Sequence, residues 1–159
     1  MSPWPEVLNA ALLFLCCSMY FGTGWSMGLF SFPMRPQITV ENYYLLFVPE
    51  VTAATKFFTW MTMVMMASAA AMIWTEWGTP LVFAPIIVLV AVSASTGLTV
   101  IKILPINARM AAGIKDPVEL GHILDEWEAL NWVRIALWSV QWAAMIVWFV
   151  AKARSGAAV

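Results

Sequence analysis

Histidine occurs once in this chain, at His122, and cysteine only as the adjacent pair Cys16 and Cys17. One imidazole and two vicinal thiols inside an apolar run cannot build the ligand set of a structural zinc, a stapling disulfide framework or a CxxC redox pair. Charge is equally scarce. Asp, Glu, Lys and Arg make up 11% of the 159 residues and the formal net charge is −1, whereas charged residues are about a quarter of a soluble domain. With no basic block and no acidic tail, nothing points to nucleic acid or to an electrostatic membrane anchor. Residues 1–6 carry no Lys or Arg, and the apolar run after them is longer than a signal-peptide core, so it reads as a retained first span.

Apolar surface is what the chain has in excess: 62% of its residues are hydrophobic and the mean hydropathy is +0.82. A bilayer core of about 30 Å needs about 20 apolar residues at helical rise. Four stretches meet that length, at about 7–30, 53–74, 81–104 and 131–151. The expected fold is therefore all-α: an integral membrane four-helix bundle forming one domain over 1–159, with membrane lipid as its first partner. Four spans put both termini on one side and the 31–52 and 105–130 segments on the other. Lys and Arg are too evenly divided between the two sides for the positive-inside rule to orient it.

Each stretch has its own signals. The first carries Gly24-x-x-x-Gly28 and Ser18-x-x-x-Gly22, a small-residue groove suited to close helix contact within the bundle or between copies. Segment 31–52 mixes Pro33, Pro36 and Pro49 with Arg35, Glu41 and Glu50 and with aromatic rings, as a headgroup-level segment does. The second stretch is rich in methionine (Met61, Met65, Met66 and Met72), which reads as adaptable core filler rather than a copper site in the absence of a nearby His or exposed Cys. The third stretch meets Pro105, where a kink or a stop is expected. Asp116, Pro117 and Glu119 then make an Asp-headed capping box that starts a charged amphipathic lead-in to the fourth helix.

Polar chemistry is concentrated in one place. Nine of the charged residues and the only His fall within 102–134. Trp127, Arg134 and Gln141 are seven apart, and Asn131, Trp138 and Met145 interleave with them at the same spacing, giving one stripe on the final helix. An arginine at the bilayer centre costs about 3 kcal/mol on insertion scales, so that stripe is expected to face the bundle. Lys56, Lys102, Asn107 and Arg109 are its expected neighbours. Glu119, His122 and Glu126 share one face of the lead-in helix and can supply counter-charge or a general base. Glu-x-x-His is also half of a di-iron carboxylate pattern, but the second half is missing, so no metal and no cofactor is expected.

The motifs Leu104-Pro105-Ile106-Asn107 and Trp127-x-x-x-Asn131-x-x-Arg134, on a four-span chain of this length with a Gly-rich first span ending in Pro33, resemble the anthrone oxygenase-like (DUF1772) family of small membrane proteins. The resemblance implies oxidation of an apolar aromatic, anthrone- or quinol-like substrate with O₂ and without a cofactor. It implies Asn107, Trp127, Asn131 and Arg134 as catalytic residues; the expected location of the chain is a bacterial inner membrane. Reading the residues beside it adds His122 as a base, with Lys56, Lys102, Arg109, Trp138 and Gln141 around the substrate. The alternative is a non-enzymatic accessory subunit whose Trp and Met surfaces pack against a larger membrane complex or against further copies. A third reading is a carrier of a quinone or pigment.

Overall fold

The computed structural model describes residues 4–156, and the ends of the single domain expected over 1–159 lie outside them. In lipid a backbone must satisfy its own polar groups, and for a single apolar run only a helix does so. Helix α1 (Trp4–Ser26) passes through a π-helical turn (Met27–Ser31) into a 3₁₀ turn (Phe32–Gln37). Helix α2 (Tyr43–Thr75) descends beside it. Helix α3 (Phe83–Leu98) ascends and runs through a second π-helical turn (Thr99–Ile103) into α4 (Leu104–Ala111). Helix α5 (Pro117–Gly156) returns. Four continuous helical stretches, Trp4–Gln37, Tyr43–Thr75, Pro80–Ala111 and Pro117–Ser155, are long and apolar enough to cross a membrane. The protein is an all-α four-helix bundle and a multi-pass membrane protein, with no strand among the described residues.

The helices overrun the apolar stretches on one side, because three prolines are absorbed rather than obeyed. At Pro49 the helix loses a hydrogen bond to the carbonyl of Leu45, a residue 78% exposed in the segment between the first two apolar stretches. Pro33 and Pro105 each follow a π-helical turn by two residues. There the Phe32 and Leu104 N–H groups reach back five residues, to the Met27 and Thr99 carbonyls, and the wider turn relieves the clash of the proline ring with the preceding turn. The expected kink or stop at Pro105 is thus a change of helix pitch.

Around the bundle, α1 packs on α2 and α5, and α3 packs on the same two helices. Lipid tails are as apolar as leucine, so the helices are held by close packing and interhelical hydrogen bonds. Leu13, Cys17, Met65, Met72, Val88, Val92, Ile135, Trp138 and Met145 form the buried core. Asn9 donates to the Ser68 carbonyl (3.0 Å) and Trp25 Nε1 to Ser139 Oγ (3.1 Å), tying α1 to both neighbours. The Gly24/Gly28 half of the small-residue groove is filled from within: a Cβ at Gly24 would lie 2.7 Å from Trp138 Cε3, and one at Gly28 2.7 Å from Trp132 Cη2, whereas one at Gly22 would meet nothing within 4 Å.

A second, smaller core of Tyr43, Met110, Ile114, Leu120 and Leu124 stands above the first. The Tyr43 hydroxyl accepts from the Ile114 N–H (2.5 Å) and donates to the Met110 carbonyl (3.3 Å). Gly113, at φ +95°, turns the chain, and Asp116 caps α5 by accepting from Val118 N–H (2.9 Å). Glu119 does not complete a capping box; its carboxylate pairs with Arg109 on α4. Lys56 to Trp74 on α2 and Arg134 to Lys152 on α5 each span 18 residues, about 27 Å of helix, which matches a hydrocarbon core of about 30 Å. The second core is therefore a cap standing outside the hydrocarbon.

Candidate functional site: a cavity beneath the cap

Between the two cores lies a cavity of about 400 Å³, walled by all four spans. Both π-helical turns contribute, through Met27 and Ser31 on one side and Thr99, Val100 and Ile103 on the other. Wide turns displace the helix axis and open space that straight helices would fill, which is why such turns recur at functional sites.

One wall is a relay along α5. Trp127 Nε1 donates to Asn107 Oδ1 on α4 (3.1 Å), Asn131 Nδ2 donates to the Trp127 carbonyl (2.8 Å), and Arg134 Nη1 donates to Asn131 Oδ1 (2.8 Å). The guanidinium lies over the Trp138 ring, 4.4 Å from its centroid, and Trp138 Nε1 donates to Ser95 Oγ on α3 (3.0 Å). Each residue of the stripe thus fixes the next. Asn131 is fully buried and Trp138 nearly so.

Arg134 is the unbalanced member. The ion pairs among the described residues are Arg35 with Asp125, Arg109 with Glu119, and Lys152 with Glu76. None of them includes Arg134, and its Nε has no acceptor. The ring face and one amide oxygen offset part of the desolvation of the charge, but a buried cation without an anion still costs several kcal/mol.

Opposite, Tyr20 lies between Phe58 and Trp138, its ring centroid 4.8 Å from each, with its hydroxyl 2.6 Å from Thr62 Oγ1. Thr55, Thr59, Thr96 and Thr99 also line the cavity. Each donates its proton to the carbonyl four residues back (2.7–2.8 Å), so these hydroxyls present only lone pairs to a guest. The remaining lining is largely aliphatic and aromatic, and the acidic groups on it are Glu50 and the half-buried Glu128.

Of the residues singled out in the sequence, the fold brings Asn107, Trp127, Asn131, Arg134 and Trp138 together on this cavity. Lys56 and Lys102 are exposed, near the headgroup level, and Arg109 is held by Glu119. His122 is exposed on the outer face of α5 and, like Glu126, does not line the cavity. Gln141 is fully buried two turns below Arg134, its amide without a partner among the described residues, and it too lies outside the lining. Among the described residues no three His, Cys, Asp or Glu side chains gather in a metal-binding group.

Tyr20, Thr62, Ser95 and Glu128 are the members that sequence reasoning missed. Glu128 had a signal, since it precedes Asn131 by three residues and so shares its face. For Tyr20, Thr62 and Ser95 the signal lies in which helices are neighbours, which periodicity does not carry. No protein-family model matches the chain, and neither a curated protein nor a solved structure matches it.

Proposed function

We propose that the cavity binds a flat, apolar ring compound through a ring oxygen held by Arg134, and that the bundle oxidises this compound with O₂ without a cofactor, in the manner of the anthrone oxygenase-like family. The observation that carries this reading is the largely buried Arg134 guanidinium, which has no ion-pair partner among the described residues, on a cavity whose lining is mostly aliphatic and aromatic. A site of this size and lining takes a small hydrophobic ligand. Its one cation outside an ion pair among the described residues selects an oxygen that becomes anionic.

An anthrone-type substrate has an acidic CH₂ opposite its carbonyl. Glu128 removes one proton, and the C–H electron pair moves through the ring onto the carbonyl oxygen, where Arg134 holds the enolate, with Asn131 and Asn107 keeping the stripe in place. The electron-rich carbon passes one electron to O₂, the two radicals combine, and the proton returns to give a hydroperoxide. Loss of water from it leaves a new carbonyl. One oxygen atom of O₂ ends in the quinone and the other in water.

The test is oxygen uptake by the purified protein in lipid nanodiscs given an anthrone. Arg134→Ala is expected to lower the rate by about 10²–10³, the usual loss for an oxyanion-holding donor. Its melting temperature should change little, because loss of the unpaired charge offsets the donor taken from Asn131 Oδ1. Wild-type protein with no uptake, or a variant as fast as wild type, refutes the proposal. Native purification with a stoichiometric larger subunit would favour the accessory-subunit reading instead.

A further inference from the structure

The cavity is not sealed from the lipid. Met63 and Val100 line it, yet they are 56% and 57% exposed on the outer surface, and Thr59, one turn above Met63, is exposed as well. On α2, Phe58 and Thr62 turn to Tyr20 of α1, so Thr59 and Met63, one step further round the helix, lie toward the other neighbour, α3. On α3, Ser95 turns to Trp138 of α5, and Val100 lies round from it toward α2. The opening is a slit between α2 and α3.

Its depth decides what it meets. Met63 is eleven residues from Trp74, about 16 Å of helix and so near the middle of a hydrocarbon core of about 30 Å. Val100 stands two residues from Lys102, about 3 Å inside the headgroup level, so the lips run from the edge of the hydrocarbon to its middle, where the surroundings are acyl chains that a methionine and a valine match. Arg134, the polar end of the cavity, lies one helical turn from Trp138 on the cap side. The site is thus polar at one end and open to hydrocarbon at the other. A volume of about 400 Å³ is at the small end for ligand sites, enough for a ring system but not for a ring with a long chain folded beside it. A chain that stays in lipid loses none of its apolar solvation, so only the ring need enter the protein.

We infer that the ligand is a phenol- or quinol-type ring bearing a long alkyl tail, with its ring oxygen on Arg134 and its tail passing between Met63 and Val100 into the acyl layer. This rests on the reading of the cavity as a ring-binding site. It does not rest on the oxidation, because it is tested by binding alone.

The experiment uses the full chain in phosphatidylcholine vesicles under argon, with 2-alkylhydroquinones whose tails have one, four or twelve carbons. Affinities are expressed per mole of lipid, which removes the effect of tail length on partitioning. In the wild type the twelve-carbon ligand should bind within about threefold of the one-carbon ligand, whereas a tail forced into a closed, filled site would cost about tenfold or more. In the double variant Met63→Trp/Val100→Trp, whose indoles close the slit from the lipid side, the ratio of long-tail to short-tail affinity should fall by at least about tenfold. A wild type that rejects the twelve-carbon tail overturns the inference, and so does a double variant with an unchanged ratio. If no member of the series binds, both this inference and the ring-binding reading fall. Binding in this pattern without oxygen uptake would refute only the oxidation.

Discussion

Gly24 offers a direct test of how tightly the first helix holds the cavity wall. Adding a methyl group there puts a carbon 2.7 Å from Trp138 Cε3 and 3.1 Å from Ile135 Cγ1. The indole cannot slide away cheaply: Tyr20 lies against it at 4.8 Å, Arg134 covers it at 4.4 Å and Ser95 anchors its nitrogen at 3.0 Å. Overpacking of this kind costs about 1–3 kcal/mol. Against it stands the gain from replacing glycine by alanine within a helix, up to about 1 kcal/mol. With the full gain set against it, Gly24→Ala should lose up to about 2 kcal/mol. Gly22→Ala, with open space around its Cβ, should be neutral or slightly more stable. Gly28→Ala should fall between them, because the atom it meets is the outer edge of Trp132, a side chain 41% exposed and so able to give more readily than Trp138. Reversible denaturation in mixed micelles gives the three values. A Gly24→Ala protein as stable as Gly22→Ala would refute the packing argument, and stability that depends on protein concentration would place these glycines between copies of the chain.

Two further substitutions test the ends of the bundle. Tyr43→Phe keeps the ring in the cap but leaves the buried Ile114 N–H without its acceptor, which should cost about 1–3 kcal/mol; hydrogen exchange at Ile114 should accelerate, and an unchanged rate would show that the hydroxyl does not hold the cap. Lys152→Met leaves the Glu76 carboxylate, 5% exposed, without the cation 2.7 Å away. The loss should be about 1–3 kcal/mol, less than for a fully buried pair because Lys152 is itself 47% exposed, and Glu76→Gln in the same protein should recover most of it. A neutral Lys152→Met would mean that water already compensates Glu76.

The bundle is legible in the sequence because hydrophobic length and backbone self-sufficiency leave few alternatives. The stripe from Trp127 through Asn131 and Arg134 to Trp138 was legible for a similar reason: polar groups at heptad spacing on an apolar helix have to turn inward. Periodicity says which residues share a face, but not what that face meets. Lys56 and Lys102 read as neighbours of the stripe because they stand at the ends of their spans, yet both are exposed, and at the headgroup level a long ammonium stem costs little. His122 shares a face with Glu119, and that face is turned away from the cavity. Tyr20 and Thr62 meet only because α1 and α2 are neighbours. The prolines at 33, 49 and 105 suggested breaks, since their local penalty is visible in sequence and the π-helical turns that relieve it at two of them are not.

Those π-helical turns make helix length a matter of angle. Each holds one residue more than an α-helix would need over the same rise, and one residue is about 100° of rotation and about 1.5 Å of translation for everything beyond it. Removing a single residue within Thr99–Ile103 would leave α3 intact below and rotate α4 as a block above. Asn107 would swing off the Trp127 indole and Met110 off the Tyr43 hydroxyl, although neither residue had changed. The roof of the cavity is thus set by a residue count as much as by residue identity. A one-codon deletion there should damage the site more than most substitutions along its walls.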